Sequence, residues 1–254
     1  MKITFYIAER KKEGNRDMKN KIPGRKRDWR KISGTILLVT LVLSIVYSIY
    51  KIITFSSGTN TADPYEHFKS DYVLMLVECL LGLVVMFLPA FLEKHWVIRI
   101  PNGMTIAYFV FLYCAVYLGE VRNFYYAVPH WDSVLHAFSG GMLGALGFSL
   151  VNILNESERT KVSLSPVFVA IFAFSFALSM GALWEIYEYS LDCILGLNMQ
   201  KFRLEDGTQL IGSAALADTM KDIIIDALSA LAVSLAGCFG LKKGKGINKI
   251  KTNI

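Results

Sequence analysis

The chain has 254 residues, 54% of them hydrophobic and 19% charged, with 27 Lys and Arg against 21 Asp and Glu. This composition excludes an ordinary soluble domain, because the apolar residues fall in runs of about 20, the length that crosses ~30 Å of hydrocarbon as a helix. The alternating strands of a closed barrel are missing. The sequence therefore predicts an all-α, polytopic integral membrane bundle of six transmembrane helices.

Residues 1–31 carry 12 Lys and Arg against 4 acids. The apolar run that follows starts too late, and lacks the small-residue cleavage site, for a signal peptide. The expectation is a cytoplasmic basic arm lying on the anionic inner leaflet. No folded nucleic-acid module accompanies the charge, so nucleic acid is not expected as a partner. Six spans follow: Ile32 to Tyr50, Tyr72 to Leu92, Pro101 to Gly119, about Ser133 to Asn155, Pro166 to about Leu191, and about Asp222 to Leu241. They make one membrane domain, residues 32–241, followed by a basic tail, residues 242–254. Cys79, Cys114, Cys193 and Cys238 lie in or beside apolar segments with no CxxC or paired spacing, and read as packing residues.

Six spans put both termini on one side. That side collects 21 Lys and Arg and the other 6, so both termini are expected to be cytoplasmic, in a plasma (inner) membrane. Only bases enter that count, yet the acids then sort as well: 14 of the 21 carboxylates fall on the outer side. Every acid within or at the lip of a span lies at its outer end, including Glu78, Glu120 and Asp192.

Three stretches concentrate this pattern. In Trp131-Asp-Ser-Val-Leu-His136, Asp132 and His136 stand one helical turn apart, a spacing that orients an imidazole or ligates one metal. A helix cap at Asp132 with a core His136 is the structural alternative. In Trp184-Glu-Ile-Tyr-Glu-Tyr-Ser-Leu-Asp192, Glu185, Glu188 and Asp192 share a helix face after 19 uncharged residues, Pro166 to Trp184. An interfacial aromatic belt would explain the upper residues. Glu185 lies too deep to reach water, so it must be neutral, paired, metal-bound or in a wet cavity. In Asp218-Thr-Met-Lys-Asp222-Ile-Ile-Ile-Asp226, the helix dipole accounts for Asp218 and Asp222 at a helix start, but not for Asp226. Arg122 and Lys221 are the only bases expected close by. The carboxylates outnumber them, and a divalent cation or bound protons would close the deficit; oxygen ligands with one or two imidazoles (His136, His130) suit Zn, Mn or Mg. The glycines at 140, 141, 144 and 147 read as close helix packing.

At these residues the chain resembles the bacterial YjdF-like membrane-protein family. The matching pieces are Asp132-x3-His136 with Gly140, Trp184-Glu185-x2-Glu188, and Asp218-Thr219-x2-Asp222. The resemblance runs from about residue 35 to 240 and implies the six-span plan and the site, but no activity. A looser likeness links the chain to the VanZ-like proteins associated with glycopeptide tolerance. Those commonly show His-Phe and Glu-x2-Gln where this chain has His136-Ala137-Phe138 and Glu185-x2-Glu188.

The leading expectation is an outward-facing acidic site from the last three spans. Asp132, His136, Glu188, Asp222 and Asp226 would be metal ligands, and Glu185 or His136 the general base of a hydrolase-like reaction on a membrane or envelope component. The alternatives are a cation- or proton-coupled transporter using the same carboxylates, and a non-catalytic scaffold with a protein partner. The connection between the fifth and sixth spans, with Gly207 and Gly212 free to bend, could cover the site.

Overall fold

A computed structural model describes residues 27–55, 69–95, 100–156, 164–204 and 206–251. The basic arm up to residue 26 and the last three residues of the tail lie outside them. Among the described residues the chain is helical almost throughout, with one isolated bridge between Arg203 and Gln209 in place of any sheet. Six helices are long and apolar enough to cross a membrane. The first span is Trp29–Thr54, the fourth Trp131–Glu156, the fifth Pro166–Leu195 and the sixth Ser213–Lys251. The second, Lys69–His95, is broken near Phe87, and the third joins an α-helix, Asn102–Leu112, to a π-helix, Tyr113–Val121.

The helix ends follow local chemistry. Asp28 caps the first span, accepting from the Lys31 amide at 3.2 Å. Ser165 caps the fifth, accepting from Phe168 at 3.2 Å with Pro166 at the first helical position, and Gly196 ends it with φ 66°. In the second span Pro89 has no amide hydrogen to give the carbonyl of Val85, four residues earlier. The hydroxyl of Tyr108, on the third span, donates to that carbonyl at 2.8 Å. The break is thereby repaired from a neighbouring helix, as a membrane interior requires.

Large apolar side chains such as Leu43, Ile53 and Phe239 point outward, while Ser44, Ser48, Glu78, His136, Glu185, Asp222 and Asp226 are buried. That inside-out distribution suits a hydrocarbon solvent. The hydroxyls of Ser44 and Ser48 donate to carbonyls four residues back in their own helix.

Spans one to three pack on one another, as do spans four to six, and the third span meets the fourth between the two trios. At one end Arg30 and Glu93 form a two-pronged ion pair at 2.7 and 3.3 Å. The opposite, acidic end holds the candidate site. Glycine fixes how closely the second trio closes. A Cβ on Gly140 would stand 2.9 Å from the Cα of Asp226, and one on Gly147 3.1 Å from the Cα of Ala173.

Several boundaries differ from the sequence expectation, and the sixth helix runs on to Lys251, past the expected Leu241 and into the basic tail. The sixth span starts at Ser213, not near Asp222, because Ala214, Ala215, Leu216 and Ala217 extend it by good helix formers. No acid then lies in its first turn, so the dipole explanation for Asp218 and Asp222 lapses. Asp132 stands within the first turn of the fourth span, whose helix begins at Trp131.

Candidate functional site

Four carboxylates surround one imidazole where spans four, five and six meet. His136, Glu185, Asp222 and Asp226 are 8%, 4%, 2% and 2% exposed. Glu185 lies ten residues before the end of its helix, about 15 Å along the axis. Asp222 and Asp226 lie about 14 and 20 Å beyond the start of theirs.

The imidazole is held at both edges. Nδ1 of His136 is 3.2 Å from Oδ2 of Asp226, whose other oxygen accepts from Ser139 Oγ at 3.4 Å. In the tautomer with its ring hydrogen on Nδ1, the imidazole donates to Asp226 and turns Nε2 towards the other acids. Nε2 stands 3.7 Å from Oδ1 of Asp132 and 3.9 Å from Oε1 of Glu185. Both distances exceed a hydrogen bond. Gly181 makes room on the far side: a Cβ there would stand 3.1 Å from Cγ of Asp226 and still closer to its Oδ2.

Asp132, His136 and Asp222 offer donor atoms all within 4.8 Å of one another. A divalent ion with bonds near 2.1 Å holds its ligand atoms about 3.0–3.4 Å apart, so closing on such an ion needs inward shifts of roughly 1 Å. Among the described residues, both oxygens of Glu185 and Oδ1 of Asp222 are buried without a hydrogen-bond partner. Orphaned carboxylate oxygens at such depth are costly. Two oxygens, one nitrogen and the adjacent Glu185 carboxylate could hold a divalent cation, with Asp226 bonded to the far edge of the imidazole.

The remaining acids separate. Glu188 lines the adjoining cavity together with Glu78 and Lys201. Asp192 ends its helix instead, accepting from the amides of Met199 and Gln200 at 2.8 and 3.0 Å. His130 sits just before the fourth span with φ 61°.

The expected bases differ. Arg122 and Lys221 are exposed, and the pairing is done by Lys201 and Arg203 in the loop of residues 196–212. Lys201 reaches Oε2 of Glu120 at 3.6 Å, its ammonium 4.6 Å from the ring centre of Tyr125 and 5.5 Å from that of Tyr126. Burial opposes its charge, yet Glu120, helped by Glu78 and Asp132, holds the ammonium above the ordinary lysine range. Burial and the same carboxylates raise the Tyr125 phenol well above its usual value. Arg203 bonds Asp71 at 3.0 Å and Ser70 at 3.2 Å. Asn198 organises the loop, donating to the Tyr126 hydroxyl and the Arg203 carbonyl and accepting from the Arg203 amide at 2.8 Å. Leu197 and Met199 pack on Leu74 of the second span. The loop thus ties the fifth span to the first trio and caps the acidic end, with Gly207 and Gly212 at φ 85° and 63°.

Sequence reasoning missed Lys201 as a partner because its approach to Glu120, far back in the chain, depends on how the loop of residues 196–212 folds.

The fold and site define a polytopic helical membrane protein with a buried carboxylate–imidazole cluster under a loop cap. The chain belongs to the family described as Predicted membrane protein (DUF2238), which matches residues 32–243. This agrees with the YjdF-like resemblance and with an arm outside the shared region. An uncharacterized protein of Thermotoga maritima is 29% identical over 160 residues, covering 62% of this chain and 69% of that protein. No solved structure matches the chain.

Proposed function

We propose that the cluster holds a divalent cation between Asp132, His136 and Asp222, and that it serves a hydrolase-like reaction on a membrane or envelope component. The observation that carries this reading is that, among the described residues, both oxygens of Glu185 and Oδ1 of Asp222 are buried without a partner, with His136 Nε2 3.9 Å from Glu185. A bound divalent cation would supply Lewis acidity and an activated water. Glu185, the one cluster acid outside the 4.8 Å donor group that also faces Nε2, would accept the proton of that water. Asp226 would hold the imidazole in its ligating tautomer, and the loop cap would limit bulk water. Glu188, in the cavity, would meet the substrate rather than the ion.

The same reading places both termini and the basic arm in the cytoplasm and the cluster near the outer face of a plasma membrane, on the distribution of Lys and Arg. The arm, the six-span body and the tail are its three parts.

A cation- or proton-coupled transporter is the second reading, favoured by the cavity between the two trios, where carriers hold their cargo. Reconstitution into vesicles of total envelope lipid separates the two. The hydrolytic reading expects a water-soluble product, detected by mass spectrometry, that requires added Mn or Zn and disappears in Glu185→Gln. Cation flux with no lipid product would replace it by the transporter.

A further inference from the structure

The cluster opens onto a cavity of about 290 Å³, close to the lower size of small-molecule sites. Its lining changes character along its length. Glu78, Asp132, Glu188 and Lys201 stand at the acidic end of the bundle, while Leu88, Phe111 and Leu143 lie towards the other. From Asp132 to Leu143 is about 16 Å of helix. The apolar part presents little unmet polarity, since the Tyr108 hydroxyl is spent on the Val85 carbonyl. Met180 and Trp184 line the cavity and are also 39% and 38% exposed on the fifth span, so the cavity wall borders the lipid-facing surface.

We propose that this cavity binds a single-chain amphiphile from the bilayer, its hydrocarbon chain against Leu88, Phe111 and Leu143 and an amine-bearing head against Glu78 and Glu188. The charge balance selects the head. Lys201, the lysine of the lining, is already paired with Glu120, and His136 faces the cluster, which leaves Glu78 and Glu188 to meet a cation. An amine head would bring the positive charge that favours ionised Glu78 and Glu188, whereas a head bearing only negative charge offers them no such partner. The long apolar limb has no use for a small hydrophilic solute, whereas an alkyl chain would fill it and replace cavity with contact. As the substrate of the neighbouring cluster this amphiphile rests on the metal-site reading; as the occupant of the cavity it does not.

The test is native mass spectrometry of the full chain in mild detergent with lysophosphatidylethanolamine, which carries one chain and an amine, against lysophosphatidic acid, which has the chain and phosphate alone. The expected result is one lysophosphatidylethanolamine per chain, with binding of lysophosphatidic acid weaker by about tenfold, the factor that 1.4 kcal/mol represents. Leu88→Trp and Leu143→Trp, which fill the apolar limb away from the cluster, should each lower the adduct by about tenfold or more, since excluded methylenes lose their transfer free energy. Both should leave metal content unchanged, and Glu188→Gln should remove the preference for the amine. Equal adducts in the filled variants, or equal binding of the two lysolipids, would overturn the proposal while leaving the metal site standing. If neither filled variant assembles, the wild-type preference between the two lysolipids decides alone. A wild-type chain that takes up the lysolipid but retains no metal would count against the metal reading only.

Discussion

Adding one methyl group at three glycines should separate the site from the scaffold that holds it. At Gly144 a Cβ would stand 3.5 Å from the backbone of Ala230, an ordinary contact, so Gly144→Ala should fold and bind metal as the wild type does. At Gly140 it would stand 2.9 Å from both Cα and the carbonyl oxygen of Asp226. Backbone cannot swing aside, so Gly140→Ala must part the fourth and sixth spans. Overpacking of that kind costs about 1–3 kcal/mol, and each kcal/mol lowers the unfolding midpoint of a chain this size by about 2–4 °C. At Gly181 the obstacle is the Asp226 carboxylate itself, 3.1 Å away at Cγ. That group can turn, but only by leaving the His136 ring that it holds at 3.2 Å. Gly181→Ala should therefore cost little stability and yet weaken metal binding about 10–100-fold, the usual penalty for losing the group behind a ligating histidine. The assay is thermal unfolding of detergent-purified protein, stripped with chelator and titrated with Mn or Zn. Wild-type metal affinity in Gly181→Ala, or equal damage from Gly144→Ala and Gly140→Ala, would refute this account of the packing.

Three further outcomes follow. Glu185→Gln should preserve folding while abolishing lipid-product formation, and Glu185→Leu should raise the stability of the metal-free protein by about 1–4 kcal/mol, the gain seen when buried charge gives way to apolar packing; a Gln variant with full activity would make Glu185 structural. Lys201→Met should speed amide hydrogen exchange across residues 196–212, and adding Glu120→Gln should restore most of the protection, because the harm lies in a buried charge left alone. With its pKa raised, Lys201 contributes fully below the ordinary lysine value and loses its hold only as pH climbs through the higher folded value, so this protection should be lost on the alkaline side far above neutrality. Reporter fusions at residues 97 and 160 should read cytoplasmic and those at 126 and 207 extracytoplasmic, a reversal at either of the first two placing the acids in the other leaflet.

The membrane architecture was legible because hydrocarbon thickness imposes a length on every helix, and six runs of that length stand in the sequence. The meeting of His136 with Glu185 and Asp222 was legible for a related reason: ionisable groups so deep in apolar helices have few places to go except towards one another. The separate duties of the acids were not. Asp192 and Glu188 stand one turn apart on a single helical stripe, yet Asp192 closes the helix onto the following loop, while Glu188 faces the cavity. Helical spacing reports a shared face and not a shared depth or neighbour. Nor could it show that Asp226 would stand behind His136, since that contact crosses 90 residues and depends on the missing side chain of Gly181. The start of the sixth span was misjudged because Asp218 and Asp222 resemble a helix opening, whereas the alanines before them already carry the helix.

The central claim is that the buried carboxylates and imidazole hold a metal ion, and elemental analysis of the purified chain tests it most directly. Protein isolated in mild detergent, offered Mn, Zn and Mg and then freed of unbound ions, should retain one divalent ion per chain. Asp222→Asn and His136→Ala should lose it, whereas Asp206→Asn, on the exposed loop, should keep it. A wild-type chain that folds and retains no ion, or variants that retain it as well as the wild type, would contradict the account.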